Sequence, residues 1–337
     1  MLKNKKVLII GGAGFIGHNL ALKLKKLKYK VSIVDSLEIN NILWLKKNKN
    51  QLPFPNLSMS ILNERFKLLK KNKIPLIKID VRDYKKLSKV FLKTNPEIVI
   101  HLAAVSHANK SNKDPFSTFD HSFRTLENSL DNSKNKIFNV KQFIFLSSSM
   151  VYGNFKKNIV KENDSCNPLG IYAALKLSGE NIIKAYNQVF GLPYTIIRPS
   201  ALYGERCISR RVGQIFIENI LNKKEIIIQG DGKEKLDFTY IEDLVNGIIC
   251  ALKSKKSLNQ TFNLTFGKAQ PINKLIFLLR KNFPNIKVKY VKRDKLMPKR
   301  GTLSTVKAKN LLNYKPKWSL NHGYQKYIDW YKKFYNK

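Results

Sequence analysis

Cysteine is scarce in this chain. Its three residues, Cys166, Cys207 and Cys250, stand far apart and match neither a disulfide framework nor a metal-ligand spacing. A secreted disulfide scaffold is thereby excluded, and no metal site is expected. Acidic residues are also thin: 23 Asp and Glu face 63 Lys and Arg, for a formal net charge of +40. Long apolar runs are missing, since none approaches the ~18 residues that cross a bilayer. The opening MLKNKKVLII offers four apolar residues before its first glycine, too few for a secretory leader. Low-complexity linkers and internal repeats are absent too. The expectation is a cytoplasmic protein with no membrane partner.

What is present is a large apolar fraction, 43% of 337 residues, enough for one large domain or two of ordinary size. The charge comes from 53 Lys and only 10 Arg. The lysines run through every segment and favour solvated helix faces, as in ALKLKKLKYK. A nucleic-acid groove would concentrate charge and interleave it with aromatics, so nucleic acid is not the expected partner. The arginines are less uniform: Arg198, Arg206, Arg210 and Arg211 crowd into one short stretch.

The first half alternates short apolar strands with helical patterns. Strands are expected at Lys6–Ile10, Val31–Val34, Ile74–Ile79, Ile98–Ile100 and Phe143–Leu146. Each is apolar without strict alternation, as in a parallel sheet covered on both faces. Strands alternating with helices indicate a Rossmann-like, doubly wound α/β fold. A smaller mixed α/β C-terminal region follows, with an approximate division into residues 1–180 and 181–337 and segments interleaving between the two. The stretch from Ser36 to Lys73 is long for one crossover, and LNERFKLLKK within it reads as an extra helix. The final SLNHGYQKYIDWYKKF is an aromatic amphipathic helix facing a core or a partner.

VLIIGGAGFIG places Gly11, Gly14 and Gly17 between a strand and a helix. Glycine there lets backbone approach a pyrophosphate, and the helix N-terminus supplies N–H donors and a positive dipole end. Phe15 and Ile16 open that helix. Asp35 ends the second strand, where a carboxylate accepts from ribose hydroxyls and repels a 2′-phosphate, so NAD is expected over NADP. Asp80, with Val81 behind it, ends the third strand near the position of an adenine edge.

Tyr172 and Lys176 stand one helical turn apart. The spacing alone means little, because ~2 such matches are expected by chance in so lysine-rich a chain. The other match is Tyr152 with Lys156. Context separates them, since Tyr172 opens a helix carrying Leu175, Ile182, Ile183, Tyr186 and Phe190, whereas Tyr152 follows a strand end and precedes a glycine. A lysine ammonium near a phenol lowers its pKa and makes it a usable base. The serines of FIFLSSSMVYG, at the end of a buried strand, are placed to complete a hydrogen-bonded set.

These pieces resemble the extended short-chain dehydrogenase/reductase family, the NAD-dependent nucleotide-sugar epimerases and dehydratases. The matching segments are GGAGFIG, Asp35, IDVRD, VIHLAAVS, FLSSSMVYG, YAALK, RPSALYG and GDGKEKLDFTYIED, in family order across nearly the whole chain. The resemblance implies a bound NAD, contacted also by Leu102, Ala103 and Ala104, and a nucleoside-diphosphate-sugar substrate. It implies Ser148, Tyr172 and Lys176 as catalytic residues, with Tyr172 and Lys176 also at the cofactor. It implies a homodimer.

Dehydratases of the family follow the catalytic hydroxyl with Asp-Glu, and its decarboxylases have Glu two residues after it. Here Ser149 and Met150 stand there, and neither moves a proton usefully at pH 7. The expectation is therefore epimerisation, at C4 through a transient 4-keto sugar. The alternative is one-way NAD(P)-dependent reduction or oxidation of a keto sugar with the same triad. Three departures bear on ligands. Leu236 replaces the Arg that follows GDG in the family and clasps the pyrophosphate. Ala201 replaces an Asn before Tyr-Gly, and Ser122 an Asn near the nicotinamide. Arg206, Arg210 and Arg211 are the candidates to neutralise the diphosphate, with Ser148 and Ser149 at the sugar.

Overall fold

The computed structural model describes residues 4–105, 108–294 and 296–335. Seven strands form one all-parallel sheet: β1 (Lys6–Ile10), β2 (Lys30–Asp35), β3 (Leu76–Lys78), β4 (Ile98–His101), β5 (Gln142–Leu146), β6 (Tyr194–Arg198) and β7 (Gln260–Asn263). Their order is β7-β6-β5-β4-β1-β2-β3. The register is continuous, for example Val7 opposite both Val31 and Ile98. β4 and β5 are buried at every residue, so their apolar runs serve both faces at once. Strand order reverses between β1 and β4, and ligands of open α/β sheets bind at the carboxyl ends beside such a reversal.

Helix α1 (Phe15–Lys26) follows β1 directly and buries Leu20, Ala21 and Leu24 against the sheet. The long β2–β3 crossover holds α2 (Pro55–Lys71), started by a proline at its first position and burying Ile61, Leu62 and Leu69. Residues 115–134 form one helical run with a π-helical turn at Asp120–Arg124, followed by α3 (Thr125–Lys134). Then come α4 (Ile171–Phe190), which carries Tyr172 and Lys176, α5 (Val212–Leu221) and α6 (Ile241–Lys253). Among the described residues no helix is long and apolar enough to cross a membrane.

Residues 181–337 do not form a separate body. β6, α6 and β7 belong to the large sheet or its covering layer, while intervening segments make small two-stranded sheets. Ile226–Gln229 pairs with Val288–Val291, and Lys235–Leu236 with Gln270–Pro271. A division at residue 180 therefore cuts through the sheet. The final helix α7 (Leu320–Tyr335) buries Tyr324, Tyr327 and Tyr331 completely against Tyr203 and α5, so the aromatic stripe is core.

Candidate active site

The glycine loop is built by close approaches. Gly11 has φ +79°, and a Cβ on it would lie 2.7 Å from the backbone N of Ala103. At Gly17 a Cβ would lie 2.6 Å from Cα of Gly12, so the loop and the first turn of α1 fit only without side chains. Gly14 caps α1 with extended backbone and no capping side chain, which leaves the first-turn amides of Phe15 and Ile16 open to an anion. Phe15 itself turns into the core.

Asp35 lies at the end of β2, nearly buried. Its carboxylate accepts from the Ala13 N–H at 3.0 Å and the Leu37 N–H at 2.8 Å. Burial raises its pKa to about 6 against those donors. Leu102, Ala103 and Ala104 follow β4 beside Gly11, and the Leu102 N–H donates to the Ile10 carbonyl. Ser106, the last residue of VIHLAAVS, lies outside the described residues. Val81 is buried behind Asp80, whose carboxylate is gripped by Arg82 at 2.6 Å; Arg82 also reaches Asp120. The close-packed glycine loop, the open first-turn amides and the strand-end carboxylate are groups of the kinds that a dinucleotide's pyrophosphate and ribose require.

At the end of β5 the three serines take three directions. Ser147 Oγ donates to Glu180 Oε1 at 2.5 Å, and Glu180 receives Arg198 through Nε and Nη2. That buried pair locks β5 to α4 and to β6. Removing one partner of such a pair costs ~3–5 kcal/mol. Ser148 caps the short turn Ser149–Tyr152, its Oγ accepting from the Met150 N–H at 3.2 Å. The Ser149 N–H donates to the Pro199 carbonyl.

Ser148, Ser149, Met150, Tyr172 and Lys176 all line one cavity of about 420 Å³. Lys176 Nζ donates to the Leu146 carbonyl and sits 4.7 Å from the centre of the Phe145 ring. Burial lowers its pKa to about 8, with Glu180 opposing. The competing tyrosine, Tyr152, is core: its hydroxyl donates to Asn263 and its ring lies under Arg198, while Lys156 is exposed.

The same cavity runs from Ile16, Leu102 and Ala104 on the cofactor side to a group of arginines on the other. Arg210 and Arg211 line it as expected, and the structure adds Arg293 and Arg300. The Nε atoms of Arg211 and Arg300 are buried without an acceptor. Burial lowers the Arg300 pKa to about 10, and repulsion from Arg211 and Arg293 adds to it. Such a cluster calls for an anion.

Leu236 lines the cavity too, and its neighbour Asp237 is a buried knot accepting from Thr265, Gly267 and Leu303. Arg206 departs from expectation. Its guanidinium turns away from the cavity onto α1, donating to His18 Nε2 at 3.0 Å and Asn19 Oδ1 at 2.9 Å. Its backbone is left-handed, φ +62°, but so is that of Arg210, φ +49°; what holds the Arg206 side chain on α1 is its set of partners, His18, Asn19 and Glu64. Ser122 Oγ accepts from the Val105 N–H within the π-helical turn.

Residues 7–265 match the NAD dependent epimerase/dehydratase family. The chain belongs to that family. It is 31% identical over 324 residues to the uncharacterized UDP-glucose epimerase YtcB of Bacillus subtilis, covering 94% of this chain and 95% of YtcB. It is 30% identical to a UDP-glucuronate 4-epimerase of Thermodesulfobacterium geofontis, covering 96% and 95%. Among solved structures it is similar to the UDP-glucuronic acid 4-epimerase of Bacillus cereus in complex with UDP-glucuronic acid and NAD. That likeness has a TM-score of 0.84 and 30% identity, and covers 98% of this chain and 100% of the other.

Within this epimerase/dehydratase site, Arg293, Arg300 and Glu180 escaped the sequence reading. The signal available for the first two was the rarity of arginine: two of ten fall within eight residues of an otherwise lysine-rich stretch. Glu180 stands one turn beyond Lys176, a spacing legible only once α4 is known to be buried on that face.

Proposed function

We propose that this protein interconverts the C4 epimers of a UDP-linked sugar through a transient 4-keto sugar, with NAD as its resident cofactor. The observation that carries this reading is the absence of an acid beside the triad. Among the described residues lining the cavity the one carboxylate is Glu234, and it is paired with Arg293 at 3.3 Å. Dehydration and decarboxylation need a proton-transferring acid next to the catalytic hydroxyl, whereas Ser149 and Met150 occupy those places. The named activities of the relatives support the epimerase reading, and the carboxylate at Asp35 supports NAD.

NAD, held at the glycine loop and Asp35, would supply the acceptor and later the donor of the hydride at the sugar carbon. Tyr172 takes the proton of the C4 hydroxyl as the C4–H hydride leaves and C4 becomes a ketone, and gives it back when the hydride returns. The Lys176 ammonium stabilises the phenolate, and its hydrogen bond to Leu146 keeps it aimed. Ser148 holds the reacting oxygen. Arg211, Arg293 and Arg300 receive the diphosphate, so the sugar can turn over while its anchor stays fixed. Arg210, on the same wall, contributes positive potential.

The test is to incubate the purified protein with UDP-, dTDP-, GDP- and CDP-sugars and follow products by NMR. A C4 epimer formed without net change in NADH absorbance is expected. Stoichiometric consumption of NAD(P)H would instead establish one-way reduction. Pairing with a second copy is supported by Phe116 and Phe119, exposed apolar residues near α4. Light scattering at twice the chain mass checks it.

A further inference from the structure

Arg65 is the largest fully buried side chain described, and nothing in the reaction calls for it. It comes from α2, the helix that lengthens the β2–β3 crossover. Its Nε donates to the Arg206 carbonyl at 2.9 Å, its Nη2 donates to the same oxygen, and its Nη1 approaches the Ala13 carbonyl at 3.5 Å. Asn41 reaches that same Ala13 carbonyl, while Asp35 takes the Ala13 N–H. Ala13, in the glycine loop, is thus held at both its backbone N–H and its carbonyl.

Arg206 completes the connection from the other side. Its guanidinium donates to His18 and Asn19 in the first turns of α1 and pairs with Glu64 of α2 at 3.5 Å. His18 Nδ1 lies 2.8 Å from the Gly14 carbonyl. A histidine that accepts from Arg206 at Nε2 must donate at Nδ1, so it joins Gly14 to Arg206 as a neutral ring. Burial, with the charges of Arg65 and Arg206, keeps it neutral. Gly14 and Ala13 flank the anion-binding amides, and Arg210 and Arg211 stand four and five residues beyond Arg206 on the cavity wall.

Packing alone does not explain this arrangement. A buried guanidinium hydrogen-bonded only to carbonyls carries a large desolvation cost, and an apolar side chain of similar length would fill the space without it. We propose that Arg206, seated on Arg65, is a positioning residue that fixes the substrate-side loop to the cofactor loop, so that NAD and a nucleoside diphosphate bind with positive coupling. Neither guanidinium touches either ligand in this scheme; each orders backbone that one ligand binds and the other depends on. The diphosphate half rests on the proposed function above.

The experiment measures NAD affinity by calorimetry on the NAD-stripped full chain, then UDP affinity with and without saturating NAD. The wild type is compared with Arg206→Met, Arg206→Lys, Arg65→Met and Arg280→Met, the last an exposed arginine. In the wild type NAD should tighten UDP binding about fivefold or more. Arg206→Met and Arg65→Met should weaken NAD about tenfold and bring the coupling ratio toward one. Arg206→Lys, keeping one donor and the charge, should recover part of both, and Arg280→Met should change neither.

Wild-type NAD affinity in folded Arg206→Met overturns the proposal. If the methionine variants do not fold, Arg206→Lys decides by the same ratio. If UDP fails to bind the wild type, the nucleotide-sugar reading falls, and the NAD arm still tests the grip on the glycine loop.

Discussion

Lys176 Nζ donates to the carbonyl of Leu146 at 2.6 Å, tying the helix of Tyr172 to the strand whose next residues are the three serines. The ammonium is buried there with one hydrogen bond, and burial lowers its pKa from 10.5 to about 8. Between those values the unfolded chain binds more protons at this group than the native one, so this group's contribution to stability rises with pH across that window. Below about pH 8 the full penalty applies, about 3 kcal/mol for a shift of this size. Urea unfolding of wild type and Lys176→Met from pH 7.5 to 10.5 should show the wild type gaining relative to the variant as pH rises. A pH-independent difference would refute the buried-ammonium account.

Two tyrosines carry the same spacing to a lysine, and single hydroxyl deletions separate them. Tyr172→Phe should lower kcat by ~10²–10⁴ with NAD retained and the melting temperature little changed. Tyr152→Phe removes a buried bond to Asn263 and should cost ~1 kcal/mol of stability with turnover kept. The reverse pattern would reassign the base.

The position of the anion-clasping guanidinium is open to a transplant. Arg211→Met should raise KM for the nucleotide sugar ~10-fold or more, the loss of a charge-assisted hydrogen bond. Leu236 faces the same cavity. Adding Leu236→Arg to that variant should restore KM toward wild type. An unaltered KM in Arg211→Met would remove Arg211 from the diphosphate site.

Ala201 holds φ +36°, a region where asparagine is far better tolerated than alanine. Ala201→Asn should therefore stabilise the fold by about 0.5–1 kcal/mol, read as a higher urea midpoint at constant m. Loss of stability would mean that the cavity wall has no room for the carboxamide.

Much of the frame was legible in the sequence because each strand's apolar run ends in its functional residue: glycine after β1, Asp35 on β2, serines after β5. The spacing of Tyr172 and Lys176 gained weight only through context, and the structure places that pair on the cavity and Tyr152 in the core. The arginine cluster was legible only as composition. Which guanidinium faces the cavity depends on partners far along the chain, since Arg206 is drawn to His18, Asn19 and Glu64 while Arg210 and Arg211 are not, and no propensity rule reports that. Arg293 and Arg300 meet Arg211 from a distant segment, and Arg65 enters from a crossover that the pattern marked only as long. Convergence of this kind follows from topology rather than from local pattern.

The interleaved sheet has a practical consequence for dissecting the protein. β6 and β7 come from beyond residue 180, so a fragment ending there would expose the whole hydrogen-bonding edge of β5. Gln142–Leu146 is apolar apart from its first residue, and such an unpaired edge invites association between copies. The nucleotide half of this chain is therefore not a portable module. Its seven-stranded sheet is complete only after Asn263 has been synthesised, when roughly three-quarters of the polypeptide is available to fold.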